Sequence, residues 1–177
     1  MRNLCYPMLL VLVAAGIATP QADVPRTIRV GEHRLVRVGS ATRSMLFGFV
    51  DLYTIALYLP NRDTRLERIR SKETPKALML EVDYEGDTEY GIPESWRDEL
   101  LPVLGPEDTH ALRQAYGSIK AGDMVTISYL PKTGTRVAVN DRTVFMTEGQ
   151  AVMAAFLDNW LGQPPVSEDI KSSLLGR

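Results

Sequence analysis

Phe49-Val50-Asp51-Leu52-Tyr53-Thr54-Ile55-Ala56-Leu57-Tyr58-Leu59-Pro60 is the stretch on which the fold turns. One parity carries Phe49, Tyr53, Ile55, Leu57 and Leu59, and the other carries Val50, Leu52, Thr54, Ala56 and Tyr58. Successive residues of a strand point to opposite faces. Two largely apolar parities, in a run that opens at Phe47, therefore predict a strand buried on both sides. Pro60 ends it.

Upstream, Thr27 to Val38 alternates apolar and polar residues around Gly31-Glu32-His33, as two short strands joined by a tight turn would. Downstream, Asn61 and Asp63 are N-cap candidates for a short helix through Leu66 and Ile69. Leu78, Leu80, Val82 and Tyr84 alternate with Met79, Glu81 and Asp83, which reads as a half-exposed strand. Pro93 can open a helix with Trp96 and Leu100 on one face, and Pro102 bends or stops it. A further helix carries Leu112, Ala115 and Tyr116, with Gly117 at its close.

The C-terminal third has the cleanest pattern. Val125, Ile127 and Tyr129 alternate along one strand, Pro131 to Gly134 turns the chain, and Arg136 to Val139 returns. Asn140-Asp141 is a two-residue hairpin turn into Thr143-Val144-Phe145. Val152, Phe156 and Trp160 then recur at helical spacing until Gly162, and Ser167 caps a last short helix. Strands and helices are mixed and the hairpins make the sheet mainly antiparallel, so the class is α+β.

The N-terminus has the layout of a secretory signal. Arg2 supplies the positive start, Met8 to Ala15 is apolar, and Ala18 or Ala22 suits the cut. The apolar run is shorter than the ~20 residues that span a bilayer. The expected division is a signal peptide over 1–22 and one domain over 23–177, exported to the periplasm, with no membrane span after cleavage. An uncleaved anchor is the alternative. Cys5 lies within the signal, so the domain is expected to hold together by its core without disulfides. With 20 basic and 22 acidic residues and no basic block, the chain lacks the charge that nucleic-acid binding uses.

The familiar phosphate-loop, dinucleotide, nucleophile-elbow and zinc-protease motifs are missing from the sequence. The two histidines, His33 and His110, lie far apart and lack metal-ligand spacing, and no metal or cofactor is expected. Glu107-Asp108 and Glu168-Asp169 sit at helix starts, where the macrodipole accounts for them. Tyr53, Tyr58, Tyr84, Trp96 and Trp160 can line a ligand cavity, but ordinary core packing is the favoured account of them. Arg43, just before the most apolar strand, can hold a carboxylate or phenolate at the mouth of an apolar pocket. A solvated loop arginine is the alternative.

The order of segments resembles the chalcone isomerase-like family, especially an exported bacterial branch. Gly39 to Arg43 running into Phe49 to Pro60 carries the resemblance first. Lys120-Ala121-Gly122-Asp123, Tyr129-Leu130-Pro131 and Gly134 to Asn140 carry it next, followed by Phe156 to Gly162, Pro165-Val166 and Ser173-Leu174-Leu175-Gly176. The resemblance implies an open-faced β-sandwich, a large antiparallel sheet covered by a layer of helices with a ligand cleft between them. In the enzymes an arginine anchors a phenolate while hydroxyl groups polarise a ketone. Arg43 matches the arginine by motif, Tyr53 falls at the position of the strand threonine, and Thr54 is its neighbour. The enzymes' next tyrosine and asparagine have no motif match, although Tyr90 lies in that region.

Arg43, Tyr53 and Thr54 are therefore the candidate ligand-binding residues. The expected function is non-catalytic binding of a small apolar anion such as a fatty acid. An intramolecular lyase acting on a phenolic enone, or a partner-binding protein with a filled cleft, are the alternatives, and catalysis and oligomeric state stay open.

Overall fold

Seven strands pair in sequence order to form one antiparallel sheet: β1 (Thr27–Val30), β2 (His33–Met45), β3 (Val50–Leu59), β4 (Lys76–Val82), β5 (Met124–Leu130), β6 (Gly134–Val139) and β7 (Arg142–Thr147). The structure is a computed structural model and describes residues 24–45, 50–84 and 100–177. Its helices are α1 (Leu66–Arg70), α2 (Pro106–Ser118), α3 (Ala151–Leu161) and α4 (Glu168–Leu174), with a 3-10 turn at Leu101–Val103. The expected signal segment, the strand start at Phe47 and Phe49, and the helix through Pro93 and Trp96 lie outside the described residues.

The two parities of β3 enter two separate cores. Ile55, Leu57 and Leu59 join Leu78, Ile127 and Val137 of neighbouring strands and pack under Phe156, Trp160 and Leu174 of the helices. Ala56 and Tyr58 face the other way, against Val24, Leu35 and Ala77, with Ile28 and Val30 of β1 packed alongside. The Tyr58 hydroxyl, buried here, donates to the Pro25 carbonyl at 2.8 Å. Burial pushes its pKa up to about 12. From Thr54 to Leu59 the strand is buried at every residue, while Val50 to Tyr53 are partly or fully exposed.

Several local expectations are revised. β2 runs on through Gly39–Arg43 as strand, so Arg43 is a sheet residue and not a loop arginine. Asn61 and Asp63 do not cap α1. Their carboxyl or amide oxygens accept from the backbone two residues ahead, at Asp63 and Arg65, and the helix begins uncapped after Arg65. β4 is more buried than half-exposed, because Lys76, Ala77 and Leu78 are all fully or nearly fully covered. α2 continues through Gly117 to Ser118, since Gly117 is not in the left-handed conformation that would stop it. The Asn140-Asp141 turn forms as expected, with φ of 47° and 63°, the pair of positive values a two-residue hairpin demands. Ser167 caps α4 by accepting from the Ile170 N–H at 3.4 Å.

Gly39 sits where α4 lands on the sheet. A Cβ there would fall on the Ser173 carbonyl oxygen and within 2.7 Å of the Leu174 carbonyl oxygen. The contact is backbone on backbone, so no side chain can swing away. Gly39→Ala is expected to cost about 2–3 kcal/mol, the usual penalty of overpacking, in urea unfolding. An unchanged midpoint would show that α4 is not seated there.

Lys76 is fully buried beneath the start of α3. Its Nζ donates to the Ser71 carbonyl at 2.8 Å and to Gln150 Oε1 at 3.4 Å, and lies 4.6 Å from the centroid of Tyr129. Among the described residues no carboxylate pairs with it. Burial lowers its pKa to about 8, against about 10.4 in an unfolded chain. Between those values the unfolded state binds more protons, so stability rises with pH through this window. Relative to Lys76→Met, the wild type should gain stability from pH 8 to 10. Parallel pH profiles for the two proteins would refute a depressed pKa.

Candidate functional site

Between the helix-side face of the sheet and helices α2 and α3 lies a cavity of about 330 Å³. The strands contribute Leu80, Val82, Val125, Val137 and Val139, while Leu112, Ala115 and Phe156 come from the helices. Two sheet irregularities widen its apolar wall. The β2–β3 register passes from Arg43↔Tyr53 to Ser44↔Asp51, leaving Leu52 as an extra residue, and the β6–β7 register leaves Val144 extra in the same way. A bulge re-aims side chains: Leu52 lines the cavity beside its strand neighbour Tyr53, and Val144 lines it as well.

Arg43 is the only charged side chain among the described lining residues. It stands directly across from Tyr53 in the β2–β3 register, so both reach the same face. Arg43 has no hydrogen-bond or carboxylate partner among the described residues. Its donors are thus available to a ligand, in an environment where an apolar wall strengthens charge-assisted bonds.

Tyr53 is held from behind. The Trp160 indole N–H donates to its hydroxyl oxygen at 3.0 Å, and the two rings meet edge to face with centroids 6.3 Å apart. Trp160 is itself fully buried and stacks on Phe156, one turn earlier on α3. An indole N–H can only donate, so the oxygen of Tyr53 is the acceptor and its own proton is left for another partner. Burial raises the Tyr53 pKa, opposed by the Trp160 bond and the Arg43 charge, with nearby Tyr116 adding a small upward push. Tyr53 is consequently a protonated donor at neutral pH. Arg43 and Tyr53 together offer two kinds of donor at one end of an apolar chamber.

Of the three residues singled out in the sequence, the structure brings two together. Thr54 is on the other side of the sheet, and its assignment to the ligand site is corrected. Its hydroxyl lies 3.0 Å from Thr42 Oγ1 and donates to Asp83 Oδ2 at 3.2 Å. Strand parity separates it from Tyr53. Within the aromatic set, Tyr53 and Tyr84 line the cavity and Trp160 supports it, whereas Tyr58 belongs to the opposite core. Trp96 and Tyr90 lie outside the described residues. Sequence reasoning missed Tyr116, which projects from α2 into the cavity. Its spacing with Leu112 marks an apolar helix face, a pattern that fits a core as well as a cavity roof.

A protein-family model described as chalcone isomerase-like matches residues 17–176. The chain belongs to the chalcone isomerase-like family. A crystal structure of an Arabidopsis thaliana fatty-acid binding protein superposes on it with a TM-score of 0.60 and 16% sequence identity, covering 86% of this chain and 90% of that one. At that identity the likeness shows the fold. No curated protein sequence matches the chain significantly.

The Trp160–Tyr53 bond makes a prediction about the site's electrostatics. Removing the indole N–H in Trp160→Phe takes away an interaction that lowers the Tyr53 pKa, so the phenol should titrate at higher pH than in the wild type. Phenolate absorbance against pH reads this, with Tyr53→Phe identifying the step that belongs to Tyr53. A downward shift would contradict the bond. The same variant should lose about 1–3 kcal/mol of stability from the shrunken core.

Proposed function

We propose that this protein is an exported, non-catalytic binder of a small apolar anion such as a fatty acid, held with its head group on Arg43 and Tyr53. One observation carries the reading: among the described residues, a single guanidinium without an acidic partner stands in an otherwise aliphatic and aromatic cavity. Such a site suits a ligand with one charged end and an apolar body. A carboxylate entering it recovers its lost hydration from the Arg43 fork and the Tyr53 hydroxyl, while the chain displaces water from the valine-rich wall. About 330 Å³ is near the lower end of ligand pockets, which favours a short or medium chain.

The fold likeness to a fatty-acid binding protein supports the same ligand class. A cavity among the described residues speaks for this reading over the filled-cleft alternative. Export rests on the sequence, through Arg2, the apolar run Met8 to Ala15, and Ala18 or Ala22 at the cut. Membership of an exported bacterial branch rests on the same segment. Among the described residues no helix is long and apolar enough to cross a membrane.

The deciding experiment is native mass spectrometry with lipid extraction on protein recovered from the periplasm. Its N-terminus should follow Ala18 or Ala22, and it should carry one equivalent of an apolar acid. Arg43→Ala should weaken binding about thirtyfold to several thousandfold, the range for leaving a bound charge without its partner (about 2–5 kcal/mol). Tyr53→Phe, which removes a neutral donor, should cost less, about 1 kcal/mol. Retention of every ligand in Arg43→Ala would sink the head-group assignment. Chalcone cyclisation above the spontaneous background would replace binding with the lyase reading.

A further inference from the structure

The sheet's second face carries a site of different chemistry. A cleft of about 400 Å³ opens there, between the β1–β2 hairpin and the outward residues of β4 to β7. It shares no lining residue with the cavity at Arg43. Its floor follows strand register: Met79 pairs with Thr126, Ser128 with Arg136, and Arg136 with Met146. The hairpin supplies the wall through Ile28, Arg29 and Val30.

Ser128 is the informative residue. It is only 5% exposed and lines the cleft, and while its backbone belongs to the β4–β5–β6 ladder its hydroxyl makes no hydrogen bond among the described residues. The hydroxyl oxygen is not sealed from solvent, so it opens on the cleft and is free to bond a ligand there. Beside it Arg136 is held in place, with Nε donating to Thr143 Oγ1 at 2.8 Å and Nη2 to the Asp141 carbonyl at 2.7 Å. Those two bonds leave the remaining guanidinium hydrogens unused. Arg29 of the hairpin lines the cleft, exposed and with no partner among the described residues, and Thr126 and Thr133 add hydroxyls. Asp141 is the one acidic residue among the described lining residues.

We propose that this cleft binds a phosphate ester bearing an apolar substituent. Two guanidiniums against one carboxylate select an anion. Three hydroxyls added to two arginines give more donors than the two oxygens of a carboxylate can use, and suit the three terminal oxygens of a phosphate. Ile28, Val30 and Met79 provide the surface for the ester's apolar part. The phosphate can come from a soluble ester or from a lipid head group, and the test separates these sources.

The probes are n-butyl phosphate in solution, followed by backbone amide shifts, and phosphatidylcholine vesicles with and without phosphatidic acid, followed by co-sedimentation. n-Butyl phosphate should shift amides of 126–136 and 29–31 saturably, and Arg29→Gln and Ser128→Ala should each weaken it about tenfold. Neither substitution touches the core contacts, and the fatty-acid readout at Arg43 should be unchanged. Binding to phosphatidic acid vesicles alone, lost in both variants, would support the site and assign a lipid source. The proposal is overturned if neither probe binds, if binding survives both substitutions, or if n-butyrate binds as tightly as n-butyl phosphate.

Discussion

Six consecutive residues of β3, Thr54 to Leu59, are buried, and a strand inside a sheet achieves this only when both faces of the sheet are covered. Helices α3 and α4 cover one face. The β1–β2 hairpin and the segment at Val24 cover the other. Each layer is drawn down by apolar area from one parity of the same strand, at roughly 25 cal/mol for every Å² removed from water. Each layer encloses an opening between itself and the sheet. The helix side leaves the apolar cavity with Arg43, and the hairpin side leaves the polar cleft with Ser128.

The cavity's polar end is tied to the core that makes it. Trp160 contributes its ring to the packing on Phe156 and its N–H to Tyr53, so one residue of α3 both fills the interior and fixes the donor direction of a cavity phenol. Arg43 is set opposite Tyr53 by the β2–β3 ladder, immediately before the bulge that frees Leu52. Rigid strands rather than mobile loops therefore hold the charged end of the chamber, an arrangement that limits the entropy lost on binding. Four residues before Arg43, in the middle of β2, the close approach of α4 at Gly39 anchors the same strand through backbone contact.

Much of this was readable in the residues. The double-sided strand, the C-terminal hairpins, the amphipathic α3 and the Ser167 cap all follow from short-range patterns, and short-range physics produced them. The failures have specific causes. Asn61 and Asp63 have cap chemistry, but the same oxygens satisfy turns two residues ahead. Gly39 to Arg43 looks like a loop because glycine and alanine are depleted in strands, yet the ladder with β3 holds it extended. Ser128 drew no notice, since a lone serine in an alternating strand ordinarily faces water.

The sequence by itself determined which strand lies at the centre, that arginine and tyrosine flank its beginning, and to which family the segments are similar. Periodicity and turn chemistry act between neighbours along the chain, so those features needed no partner from elsewhere. Tertiary structure alone decided that Arg43 and Tyr53 share a cavity while Thr54 does not, that Trp160 reaches Tyr53 across 107 positions of sequence, and that Ser128 opens on a cleft. Bulges, strand register and the packing of each covering layer set these relations. They depend on contacts between distant segments, which no local pattern encodes.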